Sequence, residues 1–125
     1  MNPTNRILIV DDERDTRQHS VDLLTDAGYE VESVNDGTAG WNELQNCEFD
    51  LVITDNVMPR MSGIEMIAKL HSCRLLLPFI MATRYLPTHE FASKWWLIPN
   101  ATLQRPFSDD DLLATVKRVL HTEER

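Results

Sequence analysis

Short apolar runs that each end at a polar residue punctuate the chain. Arg6-Ile7-Leu8-Ile9-Val10 stops at Asp11-Asp12-Glu13, and Leu51-Val52-Ile53-Thr54 stops at Asp55. Leu76-Leu77-Pro78-Phe79-Ile80-Met81-Ala82 is closed by Thr83, and Ala101–Gln104 by Arg105-Pro106. Runs this short, rich in β-branched residues and bounded by breakers, suit buried strands. Pro78 is acceptable only at the start of its strand, because it has no N–H to give the ladder. Tyr29–Val34 instead sets Tyr29, Val31 and Val34 loosely against Glu30 and Glu32, as a half-exposed edge strand would.

Between the strands the spacing turns helical. Val21, Leu24 and Ala27 mark one face of a helix over Arg14–Ala27, and Gly28 suits its C′ stop. Asp36-Gly37 leads into a helix through Trp41 and Leu44, which Gly40 weakens by ~1 kcal/mol relative to Ala. Ser62 and Glu65 have capping-box spacing and open a helix to Ser72. Between Pro87 and Pro99 there is room for a short helix capped by Thr88, with Phe91, Trp95 and Trp96. Adjacent residues cannot share one helical stripe, so one Trp is expected inward and the other exposed. Ser108 and Asp111 form another capping box before the stripe Leu112, Leu113, Val116, Val119 and Leu120, leaving His121–Arg125 after the last helix. Five strands alternating with five helices predict a parallel α/β sheet covered on both faces.

In such a sheet ligands sit outside the carboxyl ends of the strands. The polar residues that terminate the runs, Asp11-Asp12, Asp55, Thr83 and Arg105, therefore share the reactive edge. Either Asp11 or Asp12 suits a helix N-cap, but two acids leave one without that task. Arg105 has two readings, an anion-binding cation or a structural ion-pair partner for Asp55. His19, His71, His89 and His121 lack ligand spacing, and Met58, Met61, Met66 and Met81 suit gap-filling in the core.

At 125 residues the chain fits one domain, 1–125, with no output domain in it. Its formal charge of −8 and lack of a basic run argue against direct nucleic-acid binding. Cys47 and Cys73 are too few and too far apart for a zinc motif or disulfide framework, which points to reduced thiols and a cytoplasmic setting. No stretch approaches a signal peptide or a membrane span. Asp55-Asn56-Val57 lacks the second acid of an Asp-x-Asp phosphatase loop, and no Gly-rich phosphate loop is present.

VDDE at Val10–Glu13, DGTAGW at Asp36–Trp41, DLVITDNVMPRMSG at Asp50–Gly63, MAT at Met81–Thr83 and RPF at Arg105–Phe107 occur in this order over nearly the whole chain. Together they resemble the response-regulator receiver domains of bacterial two-component signalling. The resemblance implies a doubly wound, flavodoxin-like sheet of five parallel strands in the order 2-1-3-4-5. It implies that Asp55 takes a phosphoryl group from a histidine kinase or a histidine phosphotransfer protein. Mg²⁺ would be held by Asp12, Asp55 and the Val57 carbonyl, with Asp11 acting through water. Thr83 and Arg105 would contact phosphoryl oxygens. Such an ion has work to do: two carboxylates about 5 Å apart repel by roughly 3 kcal/mol at an effective dielectric near 20.

The departures from the family pattern concentrate between Arg84 and Arg105. Arg105 stands where the family has lysine, Arg84 where it has a small residue, and Thr102 where it has an aromatic switch residue. The glycine before the fifth strand is missing. Val57 and Tyr85 occupy the positions that tune loss of phosphate, and their apolar bulk implies slow self-catalysed hydrolysis. A downstream protein is expected to dock on the Arg84–Phe107 region, with a homodimer left open. The alternative is a degenerate receiver that binds a partner independently of phosphorylation.

Overall fold

The computed structural model describes residues 4–75 and 77–123. Five strands, β1 (Arg6–Val10), β2 (Glu30–Val34), β3 (Leu51–Thr54), β4 (Phe79–Thr83) and β5 (Ala101–Gln104), form one parallel sheet in the order β2-β1-β3-β4-β5. Between and after them run α1 (Arg14–Asp26), α2 (Gly37–Asn46), α3 (Gly63–Ser72), α4 (Thr88–Ser93) and α5 (Asp109–Glu123). A 3-10 turn at Trp95–Leu97 follows α4. The α/β fold and strand order expected from the sequence are those observed.

Alternation along β1 divides the core. Ile7 and Ile9 join Leu24 of α1 and Leu112, Val116, Val119 and Leu120 of α5 on one face of the sheet. Leu8 and Val10 join Leu44 of α2 and Met66, Ile67 and Leu70 of α3 on the other. β2, at the sheet's edge, is the least buried of the strands flanking β1, as its mixed pattern predicted. Met66 and Met81 are fully buried, and Met58 and Met61 pack against the same cluster. Gly40 has a packing reason: a Cβ there would stand 3.0 Å from both Met66 Sδ and Val10 Cγ2.

Most helix boundaries follow their signals. Gly28, just beyond the Ala27 C-cap, has φ +101°, a conformation that favours glycine. Ser62 accepts from Glu65 N while Glu65 Oε1 accepts from Ser62 N, completing the capping box. Ser108 and Asp111 do the same at α5.

Four expectations are corrected. β4 begins at Phe79, after Pro78, because proline cannot donate; Leu77 precedes the strand and Leu76 lies outside the described residues. The cap of α4 is Pro87, not Thr88, and no side chain bonds the first turn. α5 continues to Glu123, past the last apolar position of its stripe. Both Trp95 (74% exposed) and Trp96 (42%) face outward, because the chain there is a tight 3-10 turn in which Leu97, 2% exposed, fills the inward slot.

Candidate functional site

The parallel ladder runs one residue past the strands and places their polar termini at a common edge. Asp11 N donates to Val34 O (3.1 Å), Asp55 N to Val10 O (3.0 Å) and Arg105 N to Thr83 O (3.0 Å). β1 and β3 flank the point where strand order reverses, where open sheets of this kind bind ligands, a rule partly drawn from relatives of this fold. There carboxylate oxygens of Asp11, Asp12 and Asp55 lie within 4.8 Å of one another.

Each acid has a different environment. Asp11 is buried, Asp55 half-buried and Asp12 exposed. Asp11 Oδ1 accepts from Glu13 N at 3.0 Å. Glu13, rather than either aspartate, holds the N-cap position of α1, and it makes no side-chain cap bond. Asp55 Oδ1 accepts from Asn56 N at 2.7 Å. The Arg105 guanidinium reaches between the strand ends, with Nη2 2.6 Å from Asp11 Oδ2 and Nη1 3.9 Å from Asp55 Oδ2. Its hydrogen-bonded partner is thus Asp11 rather than Asp55, and its Nε is buried without a partner. Thr83 is buried at the end of β4.

The loop from Asp55 to Gly63 is held in a way the sequence did not reveal. Asn56 Oδ1 accepts from Ile64 N (3.0 Å) and Asn56 O from Gly63 N (3.0 Å), closing the loop onto the start of α3. A Cβ at Gly63 would lie 2.4 Å from Asp55 O, so only glycine permits this approach. Arg60, with φ 71°, ion-pairs with the buried Asp36. Asp36 also caps α2 by accepting from Ala39 N at 2.8 Å. That backbone hydrogen bond, with help from Arg60, holds the Asp36 carboxyl below its ordinary range against the opposing effect of burial. In the sequence Asp36 showed itself as a helix starter and the first residue of DGTAGW, and Arg60 only as part of the Asp50–Gly63 motif, with nothing to pair the two.

Beside the acids a cavity of about 350 Å³ is bordered by Glu13, Thr16, His19, Arg84, Arg105 and Phe107. His19 Nε2 and Asp109 Oδ1 meet at 2.8 Å across its rim, joining α1 to α5, and this bond with its charge raises the His19 pKa above 6.5. Val57, Tyr85 and Thr102 are exposed.

The donor set suits a hard divalent cation. All three side chains offer oxygen, one faces water, and the arrangement gathers like charges that a cation relieves. An ion of Mg²⁺ type retains waters, which the exposed Asp12 side of the cluster allows.

The sequence profile of the response regulator receiver domain matches residues 7–117. The chain belongs to that family. As a receiver domain of two-component signalling it is 30% identical over 112 residues to the transcriptional regulatory protein DltR of Streptococcus agalactiae serotype III, covering 90% of this chain and 50% of DltR. The chain spans about half the length of the curated relatives it matches. A receiver domain protein of Methanospirillum hungatei JF-1 superposes with a TM-score of 0.91 at 30% identity, covering 98% of each chain. Response regulator protein TrrA of Thermotoga maritima, solved in complex with Mg(2+)-BeF, superposes with a TM-score of 0.82 at 28% identity, covering 93% of this chain and 99% of that one. Among the described residues no helix of the receiver domain is long and apolar enough to cross a membrane.

Proposed function

We propose that this receiver domain is a phosphoacceptor. Asp55 takes a phosphoryl group from the phosphohistidine of a kinase or phosphotransfer protein, and the modification switches a protein-binding surface. The observation that carries this reading is the convergence of Asp11, Asp12 and Asp55 within 4.8 Å at the topological switch point. One Asp55 oxygen is tied to Asn56 N, which leaves the other, Oδ2, to attack phosphorus. A new O–P bond forms as the donor's N–P bond breaks, and the imidazole leaves with the bonding electron pair.

Asp12, Asp55 and the Val57 carbonyl are the residues to hold Mg²⁺, with Asp11 acting through water. When bound, the ion supplies positive charge to the phosphoryl oxygens, and Mg(2+)-BeF held by the related TrrA supports this assignment. Thr83, which ends β4, hydrogen-bonds one phosphoryl oxygen in this reading. Arg105 supplies a second cation at the pocket, and its exchange from Asp11 to the phosphoryl group would mark the modified state. A modification carrying a charge of about −2 then biases an existing equilibrium between surface arrangements. The downstream surface is the Arg84–Phe107 region, and the free thiols Cys47 and Cys73 fit a cytoplasmic location.

Incubation with Mg²⁺ and acetyl phosphate, followed by intact-mass measurement, tests the reading. The wild-type chain gains one phosphoryl group and Asp55→Asn gains none. The 2.6 Å contact from Arg105 to Asp11 favours a second reading, a degenerate receiver whose own guanidinium permanently fills the cation site. That reading requires no mass gain, no response to Mg²⁺, and partner binding that survives Asp55→Ala.

A further inference from the structure

At the opposite edge of the sheet from Asp55, where β4 and β5 begin, the chain leaves apolar surface open to water. A groove of about 510 Å³ runs between α3 and the 3-10 turn, a volume in the range of ligand sites. Ile67, Leu70 and Phe79 form its buried floor, and Leu75, Trp96 and Ile98 its walls. Those three wall residues are 41%, 42% and 55% exposed, and the neighbouring Trp95 is 74% exposed. Trp95 meets Trp96 edge-on with ring centroids 5.9 Å apart, and His71 lies 6.5 Å from Trp96 on the other side. Large aromatic residues held by ring contacts and left open are the usual anchors of binding interfaces.

Charge distinguishes the kind of partner. Of the cations between Met66 and Ser108, Arg84 and Arg105 stand at the Asp55 edge and Arg74 lines the groove. His71 and Arg74 line the groove and no carboxylate does. Among the described residues Arg74 and Lys94 have no ion-pair partner. The adjoining cavity of about 440 Å³ shares Leu70, Leu75 and Leu77 but brings in Glu48 and Asp50, so the unopposed positive rim belongs to the α3 side near the 3-10 turn.

We propose that this groove binds an acidic amphipathic helix of another protein, its apolar stripe on Leu70, Trp96 and Ile98 and its carboxylates on Arg74 and His71. Apolar side chains at i, i+3, i+4 and i+7 match a groove of this kind. A symmetric second copy is disfavoured, because the same groove on the partner holds no carboxylate to meet Arg74. An anionic bilayer is disfavoured by the concave floor and by the negative charge of the rest of the chain. The inference does not rest on the phosphoacceptor reading, since the groove and Asp55 occupy opposite edges.

The test titrates the full chain with a designed peptide of about 18 residues carrying Leu and Phe at the apolar positions and Glu elsewhere. Tryptophan emission and calorimetry follow the binding. Saturable binding with a blue shift is expected, weakening as salt rises. Ile98→Glu, on an exposed wall, should weaken it about 30-fold by spoiling the apolar anchor. Arg74→Glu should weaken the Glu peptide about tenfold and strengthen the matching Lys peptide, a reversal that misfolding does not produce. No saturable binding, or equal binding of Glu and Lys peptides to the wild type, overturns the proposal. So does a dimer in sedimentation that Ile98→Glu dissolves, or co-pelleting with phosphatidylglycerol vesicles in place of peptide binding.

Discussion

Arg105 lies between two of the clustered carboxylates. With one nitrogen 2.6 Å from Asp11 and another 3.9 Å from Asp55, it supplies internally part of the charge a metal ion would bring. Arg105→Ala leaves the buried Asp11 carboxylate without its cation and should cost about 3 kcal/mol in urea unfolding. The stabilisation gained on adding Mg²⁺ should then be larger in the variant than in the wild type. An equal or smaller gain would show that guanidinium and metal do not compete. His19 makes a separate residue-scale prediction. Its raised pKa means that the bond to Asp109 stabilises fully below pH 6.5 and fades as pH rises through the folded-state value. Relative to His19→Gln, the wild type should lose stability over that rise and keep a constant margin below it, as read from denaturant melts.

At the scale of elements, the loop between β3 and α3 is fixed by its neighbours. A Cβ at Gly37 would fall 2.1 Å from Met61 O, a backbone atom that cannot yield alone. Gly37→Ala must therefore push the loop away from α2, at a cost of about 3 kcal/mol by overpacking. Because that loop carries Val57 and starts beside Asp55, the variant should also weaken Mg²⁺ binding in calorimetry. If Mg²⁺ affinity is unchanged while stability drops, the loop's position is not what shapes the cation site. Asp36 anchors the same region. Its lowered pKa means that its contribution is present above pH 3.8 and is lost as pH falls through the folded-state value.

Across the whole molecule, the parallel sheet gathers at one edge charges that are remote in sequence. Asp12 illustrates the consequence: it is exposed and adds a third negative charge to the cluster. Asp12→Asn should raise the metal-free Tm by relieving repulsion and remove most of the rise caused by Mg²⁺. For the wild type at about a hundredfold excess over Kd, binding should add about 2.7 kcal/mol to the unfolding free energy. Differential scanning fluorimetry across a Mg²⁺ titration reads both effects, and a wild-type Tm indifferent to Mg²⁺ would remove the metal from the mechanism.

Sequence alone determined the strands, most helix boundaries and the edge at which Asp11, Asp12, Asp55, Thr83 and Arg105 stand. Those features follow from local periodicity, capping chemistry and the rule that parallel strands point their polar ends the same way. Tertiary structure alone decided which carboxylate Arg105 holds: the guanidinium bonds the buried Asp11 at the end of β1 rather than Asp55, although β3 lies nearer β5 in the sheet. It likewise decided the Asp36–Arg60 latch, the His19–Asp109 bond and the outward turn of both Trp95 and Trp96. Each joins or displaces residues through the packing of separate elements, and no spacing along a single element encodes that.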